Sequence, residues 1–111
     1  MGTRSRWPMN YDKRCREDFK TNKNSCIAWY LMASYAYYVK DESLLSDPVF
    51  DKMCLYILTN WDTLEHKLKD FVPKESLSAG TGYNIAFSSF PNGFVRVIEN
   101  LIEELCSVQP S

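Results

Sequence analysis

Four acidic side chains and three aromatic rings are concentrated near the middle of the chain, in the segment YYVKDESLLSDPVFD. Asp47 and Asp51 are four residues apart, a spacing that places them one turn apart on one face of a helix. Tyr37, Tyr38 and Phe50 add flat rings beside them. Rings stack on heterocycles, and carboxylates accept hydrogen bonds from sugar hydroxyls or an amide. The pattern is typical of a site for a flat, cationic or electron-poor heterocycle that carries a ribose.

Each of these residues also has a purely structural explanation. Asp47 precedes Pro48, the pairing expected of an N-cap and the first helical residue. Asp51 lies early in the same helix, where the helix dipole favours an acid. Tyr35, Tyr37 and Phe50 would suit a core, with the tyrosine hydroxyls reaching water. Spacing alone leaves the ligand site and the structural explanation open.

Helical patterns on both sides must position this segment. After an N-cap at Thr21 or Asn24, the residues as far as Lys40 predict one long helix with almost no polar face. A helix that is apolar all round must be buried by neighbours on several sides, so we expect it to be the central element. A second helix is expected from Asp47 to about Thr59.

The second half of the chain predicts a loop and a last helix. The second helix is expected to continue through NWDTLEHKL to about Lys69. A loop is then predicted for VPKESLSAGTGYNIAFSSFPNG, with a helical turn at 74–79 and an extended piece at 83–87. Within this loop, AGTGY indicates either a simple turn or a lid over the acidic and aromatic segment. Pro91 opens a last helix whose apolar residues recur at three- and four-residue steps. This core stripe consists of Phe94, Val97, Ile98, Leu101, Ile102 and Leu105.

Length and composition predict one small domain. The chain has 111 residues, of which 45% are apolar and 24% charged. We expect a mainly α fold, a small single domain of three to four main helices with one long irregular Gly/Ser/Pro-rich loop. Residues 1–20 predict a basic, poorly ordered N-terminal arm, and residues 21–111 the helical domain. The arm suggests nucleic acid only weakly, because the rest of the chain is acidic.

Metal, membrane and secretory classes are disfavoured by the sequence. The four cysteines form no C-x-x-C pair and His66 is the single histidine, so we expect no metal site and mostly buried, reduced thiols. No apolar run reaches the roughly 20 residues that span a bilayer. The start MGTRSRWPMN lacks the apolar core of a signal peptide. A soluble, cytoplasmic protein without membrane contact is the expectation.

Residues 37–51 resemble the signature of the N-terminal Ia domain of bacterial NAD-dependent DNA ligases. The positions in register with it are Tyr37, Tyr38, Asp41, Ser46, Asp47 and Asp51. Phe50 stands where the family usually has tyrosine, which keeps the ring and removes a hydroxyl. The resemblance covers roughly residues 25–60. Downstream, NWDTLEH and LSAGTGYNI look more like small stand-alone ligase-related proteins found mostly in bacteriophages, which implies a phage origin and the host cytoplasm as location.

The resemblance implies a nicotinamide ligand. In the ligase family, this domain closes over the nicotinamide mononucleotide (NMN) half of NAD. Carried over by position, Tyr37 and Phe50 would stack near the nicotinamide, and Tyr38 would lie near the phosphate. Asp47 and Asp51 would receive ribose hydroxyls and the carboxamide.

Ligase catalysis is not expected from this chain. A ligase needs a K-x-D-G lysine, but no DG dipeptide occurs here and 111 residues cannot hold a nucleotidyltransferase domain. We therefore predict an NMN- or NAD-binding module without ligase catalysis, and the sequence leaves open whether bound NAD is cleaved. A protein-interaction module that retains the fold and binds a host or phage protein is the alternative. A third hypothesis is an accessory that supplies nicotinamide capture in trans to a separate ligase adenylation domain.

Overall fold

Five α-helices make up most of the part of the chain that the structure describes. This structure is a computed structural model, and it describes residues 10–82 and 84–108, without the side chains of 106–108. Within these ranges there are helices and no strands, which confirms the predicted small, mainly α single domain. The helices are α1 (Asp12–Thr21), α2 (Ser25–Val39), α3 (Asp47–Thr59), α4 (Lys74–Leu77) and α5 (Asn92–Val108), with 3₁₀ turns at Lys69–Phe71 and Phe87–Ser89.

Helix α2 is the central element, as its lack of a polar face predicts. It packs against α1, α3 and α5, and Ile27, Tyr30 and Leu31 are fully buried. Asn24 occupies its N-cap position, but the side chain instead accepts a hydrogen bond from the Glu65 N–H at 2.9 Å. Among the described residues, no helix combines the length and the apolar character that crossing a bilayer requires.

Helix α1 lies within the segment 1–20 that was expected to be a poorly ordered arm, and the first nine residues of that segment lie outside the described ranges. The helix packs on α2 through the fully buried Cys15. The indole Nε1–H of Trp29 donates to the Asp18 carboxylate at 3.0 Å, and the Tyr11 hydroxyl donates to a backbone carbonyl of α5 at 2.9 Å. The mostly polar sequence of α1 did not predict these contacts, because the residues that it contacts lie outside the segment.

A tight turn brings the end of α2 next to the start of α3. Asp41 has a φ of +57°, a left-handed conformation that Asp tolerates better than most residues. In this turn the Glu42 N–H donates a hydrogen bond to the Ala36 carbonyl at 2.9 Å. At the other end, Ser46 occupies the N-cap position and Asp47 is the first helical residue, so the predicted Asp47 N-cap is wrong by one residue.

Helix α3 ends at Thr59 and does not continue to Lys69 as predicted. The Lys69 ammonium turns back and donates to the carbonyls of Trp61 at 2.6 Å and Leu64 at 2.8 Å. It also lies 4.7 Å from the centroid of the Trp61 ring. Because carbonyls beyond the helix end need donors, this lysine stabilises the non-helical path that the chain takes.

Phenylalanine rings hold the irregular loop in place. Phe90 is buried and packs against Phe71, Phe94 and Tyr35, with ring centroids 5.1, 5.3 and 5.8 Å away. The expected helical turn is present as α4. The expected extended piece at 83–87 is wrong for residues 84–87, which are irregular and then enter a 3₁₀ turn. Residue 83 lies outside the described ranges.

Helix α5 begins one residue after Pro91, whose carbonyl accepts hydrogen bonds from the N–H groups of Phe94 and Val95 at 3.0 and 3.1 Å. Ile98 is fully buried and lies in the core with Leu101 and Leu105, as the stripe predicts. Val97 is an exception, since 49% of it is exposed. The three-residue step from Phe94 places Val97 at the edge of the buried face, where none of the described elements buries it.

Candidate functional site

A pocket of about 340 Å³ lies where the end of α2, the start of α3 and the AGTGY segment meet. The structure places all five predicted site residues, Tyr37, Tyr38, Asp47, Phe50 and Asp51, in its lining. Ser34, Gly80 and Thr81 also line it. The geometry thus brings together the residues that the spacing singled out, and ligand binding by them stays a prediction.

The three rings of the pocket differ in how they are held. Tyr37 and Tyr38 are 59% and 44% exposed, and their rings meet edge to face with centroids 5.0 Å apart. Phe50 is half-buried and stacks on the fully buried Tyr30, with centroids 5.5 Å apart and planes inclined by 22°. The core explanation is therefore wrong for Tyr37 and holds in part for Phe50. Two rings face solvent, and the third is fixed against the core.

The two carboxylates lie on the exposed side of α3. Among the described residues, neither Asp47 nor Asp51 has a hydrogen-bond or ion-pair partner. The backbone of Gly80 passes close to Asp51, since a Cβ atom on Gly80 would lie 3.0 Å from the Asp51 Oδ1. The φ of +67° at Gly80 disfavours any other residue there as well. Asp51 is thereby confined between its own helix and the loop while its oxygens remain available.

Tyrosine hydroxyls tie the AGTGY segment to α2. The Tyr30 hydroxyl donates to the Thr81 carbonyl at 2.7 Å, and the Tyr38 hydroxyl shares a hydrogen bond of 2.5 Å with the Thr81 Oγ1. The hydroxyl of Tyr38 thus already has a protein partner, at the position that the ligase resemblance assigns to a phosphate contact. Gly80 and Thr81 line one side of the pocket, which is compatible with both roles predicted for AGTGY, a simple turn and a lid.

One buried hydroxyl in the pocket wall has no partner. Ser34 is 1% exposed, and its Oγ has no hydrogen bond to any described group. It lies in α2 directly beneath Gly82, where a Cβ atom would contact it. An unsatisfied buried hydroxyl costs about 1–3 kcal/mol, so a ligand atom that reached Ser34 would recover part of this cost.

Sequence reasoning missed Ser34, Gly80 and Thr81, which line the pocket. It also missed Tyr30, which contacts Phe50 and Thr81 from below. The AGTGY pattern gave a signal for the two loop residues, because its glycines indicated a compact turn. Nothing distinguished Tyr30 and Ser34 from the other residues of an apolar helix. Their roles depend on contacts with residues about fifty positions away along the chain.

The buried thiols and the histidine of the described structure do not line this pocket. Burial raises the pKa of the Cys15, Cys26 and Cys54 thiols to about 12, so these thiols are neutral at physiological pH. Burial also lowers the pKa of His66, whose Nδ1 accepts a hydrogen bond from the Leu68 N–H at 3.0 Å. In the described part of the chain, no three His, Cys, Asp or Glu side chains are grouped as metal ligands would be.

Comparison of the chain with models of protein families, with curated proteins and with solved structures found no match. The resemblance to the ligase Ia domain therefore depends on the sequence alone, chiefly on the residues of the segment 37–51.

Proposed function

We propose that this protein is a binding module for a nicotinamide nucleotide of the NMN or NAD type, similar to a ligase Ia domain and without ligase catalysis. The observation that supports it is the convergence of Tyr37, Tyr38, Asp47, Phe50 and Asp51 on one pocket. The ligase resemblance was read from sequence, whereas the pocket is a property of the folded chain, so the two arguments support each other.

The size of the pocket favours one nucleoside or mononucleotide. Ligand sites have volumes of roughly 300–1,000 Å³, and the value of about 340 Å³ lies at the lower end of this range. A whole dinucleotide would leave its adenosine half outside. The proposed ligand is thus the nicotinamide half, alone or as part of NAD.

The side chains suggest how this half would be held. The exposed ring of Tyr37 offers a free face for the pyridinium, which combines stacking with a cation–π attraction. Phe50, fixed by its contact with Tyr30, supplies an apolar wall. Asp47 and Asp51 accept hydrogen bonds from the ribose hydroxyls and the carboxamide. We propose capture without turnover, in the cytoplasm, and in the host cytoplasm if the chain is phage-encoded.

Calorimetric titration tests the proposal. The chain is titrated with NMN, NAD and nicotinamide riboside, and its thermal unfolding is followed with and without each compound. We expect saturable heat for at least one compound and a higher Tm, since ligand at a hundred times its Kd stabilises the native state by about 2.7 kcal/mol. No heat and no thermal shift at millimolar concentrations of all three compounds would refute the proposal.

Matched carboxylate variants make the test specific. Asp51→Asn is nearly isosteric and should weaken binding by about 1–3 kcal/mol, because it removes a charged acceptor. The exposed Asp62, on the turn after α3, lies outside the pocket lining, so Asp62→Asn should leave affinity unchanged. Equal affinity in the two variants would contradict a role for Asp51.

A protein-interaction module is the second candidate, and one observation favours it. Tyr37, Tyr38 and Val39 are three consecutive exposed apolar residues at the end of α2. The proposed partner is a host or phage protein such as a ligase adenylation domain. Val39 does not line the pocket, so Val39→Asp should abolish co-elution with that domain in size-exclusion chromatography and leave nucleotide binding intact. Restored NAD-dependent adenylylation of an adenylation domain that lacks its Ia partner would identify the accessory function.

A further inference from the structure

The pocket offers negative charge and hydrogen-bond acceptors, which is a poor match for a phosphate. Asp47 and Asp51 both line it, and among the described residues no lysine or arginine does. Three places near the pocket could still supply donors to an anion: the start of α3, the backbone of the AGTGY segment, and the nearest lysines. In the described structure, each of them offers fewer donors to the pocket than its position suggests.

The start of α3 is a poor anion site. Helix N-termini commonly bind phosphate through free backbone N–H groups. Here the Ser46 N–H already donates to the Asp12 carboxylate at 2.8 Å, and Pro48 has no N–H to offer. Asp47, in the first turn, places its own negative charge at this end of the helix. A phosphate would meet repulsion there and find few donors.

Two backbone N–H groups of the glycine turn, those of Gly80 and Thr81, are engaged within the turn. Consecutive N–H groups in a glycine turn can form a concave anion nest. In this loop the Gly80 N–H donates to the Leu77 carbonyl at 3.0 Å, and the Thr81 N–H donates to the Ser76 carbonyl at 3.2 Å. These two donors close the turn after α4. The turn therefore shapes the pocket wall without offering either N–H to a phosphate.

The lysines nearest in sequence do not line the pocket. Lys40, which caps α2, pairs with Glu99 of α5 at 3.4 Å. Lys52 follows Asp51 on α3, and a step of one residue turns its side chain about 100° around the helix axis. Neither ammonium is placed to neutralise a phosphate in the pocket.

We propose that the pocket selects a net-cationic, N-ribosylated pyridinium without phosphate, that is, a nicotinamide nucleoside, over the mononucleotide and the dinucleotide. This inference rests on the proposed function and specifies the charge of the ligand. Asp47 and Asp51 stabilise the positive ring and bind the ribose hydroxyls, and Tyr37 stacks on the ring. The unpartnered hydroxyl of Ser34 is a further polar group of the wall.

Two ligand comparisons separate the contributions of phosphate and ring charge. Calorimetry measures the affinities of nicotinamide riboside, NMN and NAD, together with the reduced riboside, which keeps ribose and carboxamide but has an uncharged ring. We expect the oxidised riboside to bind at least about tenfold more tightly than NMN and than the reduced riboside. Both ratios should decrease at high salt, because exposed charges are screened over about 8 Å at physiological ionic strength.

A double variant identifies the source of the selectivity. In Asp47→Asn/Asp51→Asn, the riboside and NMN should bind within about threefold of each other, since the repulsion of the phosphate is gone. Asp62→Asn, outside the pocket, should keep the wild-type ratio. Both pocket carboxylates are exposed and unpartnered among the described residues, and circular dichroism checks that the variants fold.

The outcomes distinguish this inference from the proposed function. NMN binding as tightly as the riboside, or more tightly, overturns the inference and leaves the nicotinamide module standing. A preference for the riboside that persists in the double variant overturns the assignment to Asp47 and Asp51. No heat with any of the four compounds overturns both proposals.

Discussion

Gly82 packs so closely on Ser34 that a Cβ atom at position 82 would lie 2.6 Å from the Ser34 Cβ. It would also lie 2.9 Å from the Cδ1 of Ile85. Real Cβ atoms do not approach other atoms so closely, so only glycine allows the loop to lie against α2 at this point. The contact fixes one wall of the pocket, because Ser34 and the preceding Thr81 both line it.

Gly82→Ala should therefore destabilise the fold. We expect the free energy of unfolding to fall by about 1–3 kcal/mol, the usual cost of overpacking, because the loop must move away from α2. Urea denaturation followed by circular dichroism measures the change. Gly93→Ala is the matched control, since no atom lies within 4 Å of its added methyl group and alanine favours a helix. Equal stability of the two variants would contradict the close packing of Gly82.

The main helices could be predicted because their signals are local. The apolar stripe of α5 and the uniformly apolar α2 require burial by their composition, and Asp47–Pro48 marks the start of α3 to within one residue. The end of α3 was not predictable in this way. It depends on Lys69, which reaches back five and eight residues to two carbonyls, and nothing in NWDTLEHKL distinguishes this path from a continued helix.

The site was predictable only where its residues are close in sequence. Tyr37 and Asp51 lie on adjoining elements joined by one turn, so their proximity follows from chain connectivity. Thr81 reaches the same pocket from about forty to fifty residues away, through hydrogen bonds with Tyr30 and Tyr38. Such a contact is decided by how the loop packs, which the phenylalanine cluster around Phe90 controls.

Lys69→Met should cost about 1.5–3 kcal/mol of stability. Methionine keeps much of the side-chain volume but leaves the Trp61 and Leu64 carbonyls without their charged donor and removes the cation over the Trp61 ring. Urea denaturation measures the loss. The same substitution at the exposed Lys67 is the control and should change stability by less than about 0.5 kcal/mol. A Lys69→Met protein as stable as the control would show that the helix end does not depend on this lysine.

Stability should fall at alkaline pH because of the buried thiols. Burial raises the pKa of Cys15, Cys26 and Cys54 to about 12 from a reference value of 9.0. Between these values the unfolded chain releases thiol protons that the folded chain retains, so the free energy of unfolding decreases as pH rises from about 9 towards 12. The slope is at most about 1.4 kcal/mol per pH unit for each thiol.

Urea titrations at pH 8, 9 and 10 measure this dependence. Over this interval the tyrosines contribute less, because their reference pKa is 10.0 and unfolded tyrosines ionise mainly at higher pH, so the raised pKa of Tyr11, about 12, affects stability chiefly above pH 10. Cys54→Ala should flatten the slope while lowering stability at every pH through the cavity that it leaves. A free energy of unfolding that stays constant from pH 8 to pH 10 would contradict burial of the thiols.

Tyr37→Ala separates ligand stacking from a structural role. Because 59% of Tyr37 is exposed, its removal should change the free energy of unfolding by less than about 0.5 kcal/mol. Loss of the stacking ring should weaken the binding of nicotinamide riboside by about 1–3 kcal/mol, measured by calorimetry. Leu55→Ala is the control, since Leu55 is 64% exposed on α3 and does not line the pocket. Tyr37→Trp keeps an aromatic face and should retain binding.

The two measurements on Tyr37→Ala give opposite results for the two explanations. If the Tyr37 ring stacks on the ligand, the affinity of Tyr37→Ala for the riboside falls and its free energy of unfolding is preserved. The Leu55→Ala protein then matches the wild type in both measurements. If the Tyr37 ring stabilises the fold instead, the free energy of unfolding falls and the riboside affinity of the remaining native protein is unchanged. The second result would contradict the stacking role, because the exposed face of Tyr37 would then have no part in binding.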